Sequence, residues 1–169
     1  HIMMVLTFVD AFGKQNTKQL TWYASDGGSI TTENGRIIRT TGFNTNNLEN
    51  LSTHSLTLPS PIEAEKWQAI YDWSPHYRYN FSAEVTTQPI EEEKITTFLW
   101  EQNTKHVTEQ VYFSGLKQDF INEYWIAPAT QTTKTFTVKS IQHIGPNMDK
   151  IKMLMIRPYV EPINTPSPK

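Results

Sequence analysis

Asn34-Gly35 stands between two runs rich in β-branched residues, Ser29 to Glu33 and Arg36 to Thr41. Both residues of the pair tolerate positive φ, which a two-residue type I′ turn demands at both positions, so the two runs read as the arms of a β-hairpin. The loop length also dictates register. Glu33 faces Arg36, Thr32 faces Ile37 and Ile30 faces Arg39, and the opposite-charge pair beside the turn contributes about 0.2–1 kcal/mol. A chain committed this early to antiparallel pairing needs further strands to cover the hairpin's apolar side.

Those strands are legible along the chain. Threonine is abundant, aromatic residues make up 12% and alanine and leucine are sparse, a balance that suits pleated, half-buried surfaces better than helices. Leu6 to Phe12 and Gln19 to Ser25 read as strands, and Asp26-Gly27-Gly28 reads as a chain reversal. Asn44 to Leu51 reads as a short helix. Tyr71, Trp73, Tyr77, Tyr79, Phe81, Ala83 and Val85 alternate with Asp72, Arg78, Asn80, Ser82 and Glu84, the period of a sheet with one wet face, in one long strand bent at Pro75. Glu91-Glu92-Glu93 reads as a solvated turn before a strand from Lys94 to Glu101. Val107 to Phe113, Phe120 to Ile126, Thr133 to Ile144 and Lys150 to Arg157 follow as strands. Between Val138 and Ile141 the apolar side changes parity, which calls for a β-bulge near Lys139 or Ser140. The expected fold is all-β and mainly antiparallel, a β-sandwich or irregular barrel of roughly ten strands with one or two short helices.

At 169 residues the chain suits a single domain with a buried core and no need of disulfides or a structural metal. His1-Ile2-Met3 reads as a vector scar, residues 4–159 as one β-rich domain, and 160–169 as an extended tail punctuated by Pro162, Pro166 and Pro168. A net charge of −2 and the absence of any basic stretch exclude a nucleic-acid reader. No apolar run reaches the roughly 18 residues of a membrane-spanning helix. The chain has no cysteine, which removes thiol nucleophiles and Cys-based zinc sites.

The search for catalytic motifs is thin. There is no nucleophile elbow, phosphate loop, H-E-x-x-H or dinucleotide fingerprint. His54, His76, His106 and His143 are spaced too widely for a local metal pair, so no metal and no cofactor are expected. Glu109 shares the parity of Val107, Val111 and Phe113, and an acid on a buried face must find a partner or carry a raised pKa. A structural ion pair to one of the arginines, Arg36, Arg39, Arg78 or Arg157, is preferred, with Arg36, Arg39 and Arg157 as first candidates. The catalytic alternative pairs Glu109 with Asp72 or Glu123 across a glycosidic bond. Trp22, Tyr23, Trp73, Tyr77, Arg78, Tyr124 and Trp125 form the candidate sugar-stacking set; core packing is the competing role for the rings. Adjacent rings such as Trp22-Tyr23 and Tyr124-Trp125 point to opposite faces of a strand.

Several segments, taken in order, resemble one family. Trp22-Tyr23-Ala24-Ser25-Asp26-Gly27, Gly35 to Gly42, Tyr71 to Arg78, Asn122-Glu123-Tyr124-Trp125, Ser140 to Pro146 and Arg157-Pro158-Tyr159 are similar to the pattern of the YjbF/GfcB family, the group 4 capsule polysaccharide lipoproteins. The resemblance implies a periplasmic lipoprotein tethered to the outer membrane through an acylated N-terminal cysteine, encoded with genes for capsule or exopolysaccharide secretion. No catalytic residues come with it, and this sequence departs from the pattern in having no cysteine. The expected role is a non-enzymatic accessory or assembly factor that presents sheet edges or loops to an outer-membrane β-barrel and companion periplasmic proteins of the export operon. The alternative is a polysaccharide-binding module using exposed aromatic residues; a glycoside hydrolase comes third.

Overall fold

A computed structural model describes residues 9–12, 19–55, 57–63, 65–76, 78–131 and 134–156. These hold eleven strands and no helix: β1 (Val9–Phe12), β2 (Gln19–Tyr23), β3 (Ser29–Glu33), β4 (Arg36–Thr41), β5 (Asn47–Ser52), β6 (Lys66–Ser74), β7 (Arg78–Thr96), β8 (Glu101–Phe113), β9 (Gln118–Ala127), β10 (Phe136–His143) and β11 (Lys150–Leu154). Two antiparallel meanders result, a four-stranded sheet in the order β1-β2-β3-β4 and a seven-stranded sheet in the order β11-β10-β9-β8-β7-β6-β5. The expected vector scar, the Pro-rich tail, Tyr77 and Arg157 lie outside the described residues.

The hairpin that anchors the reading is present, with φ of 50° at Asn34 and 85° at Gly35 and Glu33 opposite Arg36. Beyond Thr32 the register departs from expectation. A bulge at Ile38 sets Ile30 against Thr40 instead of Arg39. The flanking charges do not join either: Arg36 turns into the interior to Glu109, and Glu33 accepts a hydrogen bond from Gln19 Nε2 at 3.3 Å.

Three other expectations are corrected. Asn44 to Leu51 is not helical; its second half lies in β5, with Leu48 and Leu51 both buried. Their three-residue spacing mimics a helix face, whereas here a bulge at Glu49 returns Leu51 to the side of Leu48. The strand bent at Pro75 is two strands, because the chain reverses through Pro75 and His76 and pairs β6 with β7. A proline cannot donate to a ladder, so it falls in the turn. Glu91-Glu92-Glu93 is no turn but belongs to β7, exposed next to a bulge after Pro89, and the reversal comes later, within the expected Lys94 to Glu101 strand, where Thr97 N donates to Trp100 O at 2.8 Å.

The expected bulge in β10 sits at Val138, one residue before the predicted place. It keeps Phe136, Val138 and Ile141 in one cluster with Trp125, Ala127 and Ile95. That cluster lies on the outer face of the seven-stranded sheet. The main core lies on the inner face, where Ile30 and Ile37 of the small sheet meet Leu48, Tyr71, Trp73, Val85, Val111 and Phe113. Among the described residues, the large sheet is thus covered on its inner side along much of its length and on its outer side where β7, β9 and β10 carry that second cluster.

Candidate functional site

The polar heart of the molecule lies between the sheets. Arg36 projects from β4 and Glu109 from β8, with 3% and 1% of their side chains exposed, and they meet fork to fork: Nε donates to Oε1 at 3.3 Å and Nη2 to Oε2. Arg36 Nη1 donates to the carbonyl of Pro59, and the guanidinium lies over the Trp67 ring, 4.8 Å from its centre. A bidentate, planar contact suits arginine and holds both charges without water. Burial pulls Arg36 toward its neutral form, but Glu109 together with the Tyr124 and Tyr71 phenols outweighs it, and the guanidinium pKa ends above its ordinary value.

Gln142 on β10 completes this layer. Its Oε1 accepts from Ile37 N at 2.9 Å and from the Tyr124 hydroxyl at 3.1 Å, and its Nε2 donates to Gly35 O and Ser140 Oγ, both at 2.9 Å. All four hydrogen-bonding positions of the amide are filled, which makes it a staple between the hairpin tip and the large sheet. Gly35 is constrained twice. Its φ is left-handed, and a Cβ there would stand 2.6 Å from Thr137 Cβ. Burial first, and the Glu109 carboxylate second, push the phenols of Tyr71 and Tyr124 well above their ordinary range, with Arg36 offsetting part of the effect.

The outer face of the same strands carries a different arrangement. His106, Trp125 and Lys139 occupy one cross-strand row of β8, β9 and β10. The imidazole stacks on the indole at 4.3 Å and 9°, Lys139 Nζ lies 4.4 Å from the ring centre, and the indole N–H donates to Glu93 Oε2 at 2.7 Å. His106 Nε2 also lies 3.1 Å from Glu123 Oε1.

The acids proposed for a hydrolytic pair do not share a cleft. Glu109 points inward; Glu123 lies opposite Thr108 on the outer face, and Asp72 accepts from Asn80 N there as well. Two carboxylates on opposite faces of a sheet cannot flank one glycosidic bond. Arg39 donates to the Glu49 carbonyl and takes no part in the ion pair.

Among the described residues the candidate stacking rings do not form a platform either. Trp73, Tyr124 and Trp125 are buried, Trp73 donating through its indole N–H to Ile144 O. Trp22 is half-buried with its indole N–H on Thr32 Oγ1 at 3.3 Å, and Tyr23 is 40% exposed. Arg78 lies 6.0 Å from the Trp73 ring centre and binds Asn46 Oδ1 at 2.7 Å. Tyr124 and Trp125 do point to opposite faces, but both are buried because the sheet is covered on both sides there. A shallow groove on the β7–β8 arm, lined by Glu92, Lys94, Asn103, Lys105 and Pro128 among others, has no ring in its wall. Among the described residues no group of three or more His, Asp or Glu side chains is placed to hold a metal ion.

Gln142 was not singled out from the sequence. Its inward aim depends on the bulge at Val138, and two of its partners, Ile37 and Gly35, lie more than a hundred residues away, so no local pattern marks it.

Two antiparallel sheets closed over an internally neutralised ion pair define an all-β scaffold, with its polar interior spent on joining the sheets. The chain belongs to the family described as group 4 capsule polysaccharide lipoprotein gfcB, YjbF, whose model matches residues 1–156. Its fold is similar to the crystal structure of the hypothetical lipoprotein YmcC from Escherichia coli K12, with a TM-score of 0.69 and 22% identity over 91% of this chain and 78% of that one. No curated protein matches the chain.

Proposed function

We propose that this protein is a non-enzymatic accessory or assembly factor for capsule or exopolysaccharide secretion, held by a lipid anchor at the periplasmic side of the outer membrane. Its partners would be the outer-membrane β-barrel and the periplasmic proteins of the same export system. Family membership supplies the polysaccharide context and the lipoprotein character. The observation that carries the non-enzymatic part is the sealing of Glu109 by Arg36: the best-placed acid is cut off from solvent, and Asp72 and Glu123, the carboxylates that would pair with it, lie on the other face. The burial of Trp73, Tyr124 and Trp125 counts against the rival reading of a polysaccharide-binding module.

Two measurements test this reading in the source strain. Deleting the gene lowers surface polysaccharide and re-expression restores it; an unchanged surface polysaccharide level rejects the accessory role. Incubating the purified protein with the strain's own polysaccharide releases no reducing ends. Release that disappears in Glu109→Gln or Glu123→Gln establishes hydrolysis instead.

A further inference from the structure

The β7–β8 hairpin ends in Thr97-Phe98-Leu99-Trp100, and its apolar side chains are divided. Trp100 is tucked under the tip: it stacks on Phe136 at 6.0 Å and 11°, and its indole N–H donates to Met155 O at 3.0 Å. Thr97 Oγ1 accepts from the backbone N–H groups of Leu99 and Trp100, each at 3.3 Å, and donates to Ile156 O at 3.0 Å. The turn is therefore held from below. Phe98 and Leu99 stand outward, 85% and 54% exposed, and Ile156, bonded to Thr97 through its carbonyl, adds a third apolar side chain at 48%.

Singly exposed apolar residues are ordinary, but an aromatic and an aliphatic side chain side by side on a pinned turn, with a third apolar residue on the segment bonded to that turn, are the makings of an interaction hot spot. Fixing the turn in advance removes part of the ordering cost of association. Below the tip the arm carries Glu91, Glu92, Glu93 and Glu101 against Lys94 and Lys105, and the Lys94–Glu101 pair is exposed at 3.7 Å. The collar is acidic. That disfavours an anionic bilayer and favours a protein surface of opposite sign.

We propose that the tip of the β7–β8 hairpin is a docking element, with Phe98 and Leu99 entering an apolar recess rimmed by lysine or arginine on a partner protein. The proposal rests on the accessory reading above and names the surface through which that role is exercised.

The test uses the full-length lipidated protein in its own strain, with a benzophenone side chain at position 99 and, as a control, at position 84 on the outer face of β7. Position 99 gives one discrete cross-linked adduct that position 84 does not. Its yield drops about tenfold with Phe98→Ser, the loss expected for a central aromatic anchor, and falls again with Glu91→Lys and Glu92→Lys. Phe98→Ser lowers surface polysaccharide toward the level of the deletion strain, while the purified variant unfolds at the wild-type midpoint.

Four results overturn the docking proposal: no adduct from position 99, an adduct of homodimer mass, an adduct indifferent to charge reversal, or Phe98-dependent binding to phosphatidylethanolamine–phosphatidylglycerol vesicles. Normal polysaccharide export in Phe98→Ser overturns it too, and leaves the accessory role standing if the deletion strain remains defective. A deletion strain without a defect overturns the accessory role, and the docking proposal that rests on it falls as well.

Discussion

Strand β8 takes part in a carboxylate contact on each of its two faces. Inside, Glu109 meets Arg36 with almost no exposure; outside, Glu123 meets His106 with side chains 34% and 13% exposed. Both pairs have bonding geometry, yet they stand in different media. The inner one has given up its water and must be completed by protein, which is why Pro59 O and the Trp67 ring close around Arg36. The outer one keeps solvent and owes its position as much to the His106–Trp125 stack as to charge. A contact list ranks the two pairs alike, whereas burial separates them.

Removing one partner from each pair gives the widest separation. Glu109→Ala leaves the Arg36 charge buried and unpaired and is expected to cost about 3–5 kcal/mol in urea unfolding. The replacement of both partners, Arg36→Met with Glu109→Leu, is expected to recover most of that loss; a double variant as unstable as the single one would show that the pair itself supplies net stability.

Next in size is the hairpin contact that brings Arg36 to its place. Gly35→Ala meets both a left-handed φ and Thr137, so a loss of about 1–3 kcal/mol is expected. Combining it with Thr137→Ala, which removes the hydroxyl and methyl but keeps the Cβ 2.6 Å away, should return only a fraction of the steric loss. Full recovery would show that the backbone conformation contributes nothing.

The tyrosines packed around the inner pair add a pH signature to the fold. With the phenols of Tyr71 and Tyr124 raised in the fold, the unfolded chain loses protons above about pH 10 while the native state keeps them. Stability from these groups is complete below that pH and falls as pH rises through the folded values. Ultraviolet titration should show a tyrosinate fraction that appears only with unfolding, and Tyr124→Phe should reduce it.

The smallest effect belongs to the outer pair: Glu123→Ala is expected to cost about 0.2–1 kcal/mol, and less at high salt. A loss as large as that of Glu109→Ala would collapse the contrast between the two faces.

The same contrast separates what could be read in the sequence from what could not. The Asn34-Gly35 turn and the outline of β3 and β4 follow from chemistry local to ten residues. The inward aim of Glu109 follows from its parity with Val107 and Val111, a property of one strand. Its cation does not, because the choice among four arginines depends on how two sheets close over each other. Bulges hide the rest. One at Glu49 makes a strand look helical, one at Ile38 shifts a register, and one at Val138 conceals that Ser140 and Gln142 face inward. The burial of both Tyr124 and Trp125 requires a second apolar layer on the outer face, assembled from β7, β9 and β10, that no single segment announces.

Gln142 also sets a clock. Its bonds to Ile37 and Gly35 join residues 105 and 107 positions apart, whereas every strand pairing in both sheets links neighbours along the chain. Hairpins can zip locally, but the staple closes only when the two meanders, joined through residues 42–46, fold over each other and bring β10 to the tip of the β3–β4 hairpin. Gln142→Leu should therefore quicken unfolding while leaving refolding nearly unchanged, as stopped-flow fluorescence would show. Refolding slowed in proportion to the lost stability would place the staple in the nucleus. Late closure has a consequence: until β10 arrives, the Gly35 carbonyl and the Ile37 N–H at the hairpin tip lack the amide that bonds them in the fold, and a chain halted at that stage carries unfinished strand edges open to misassembly.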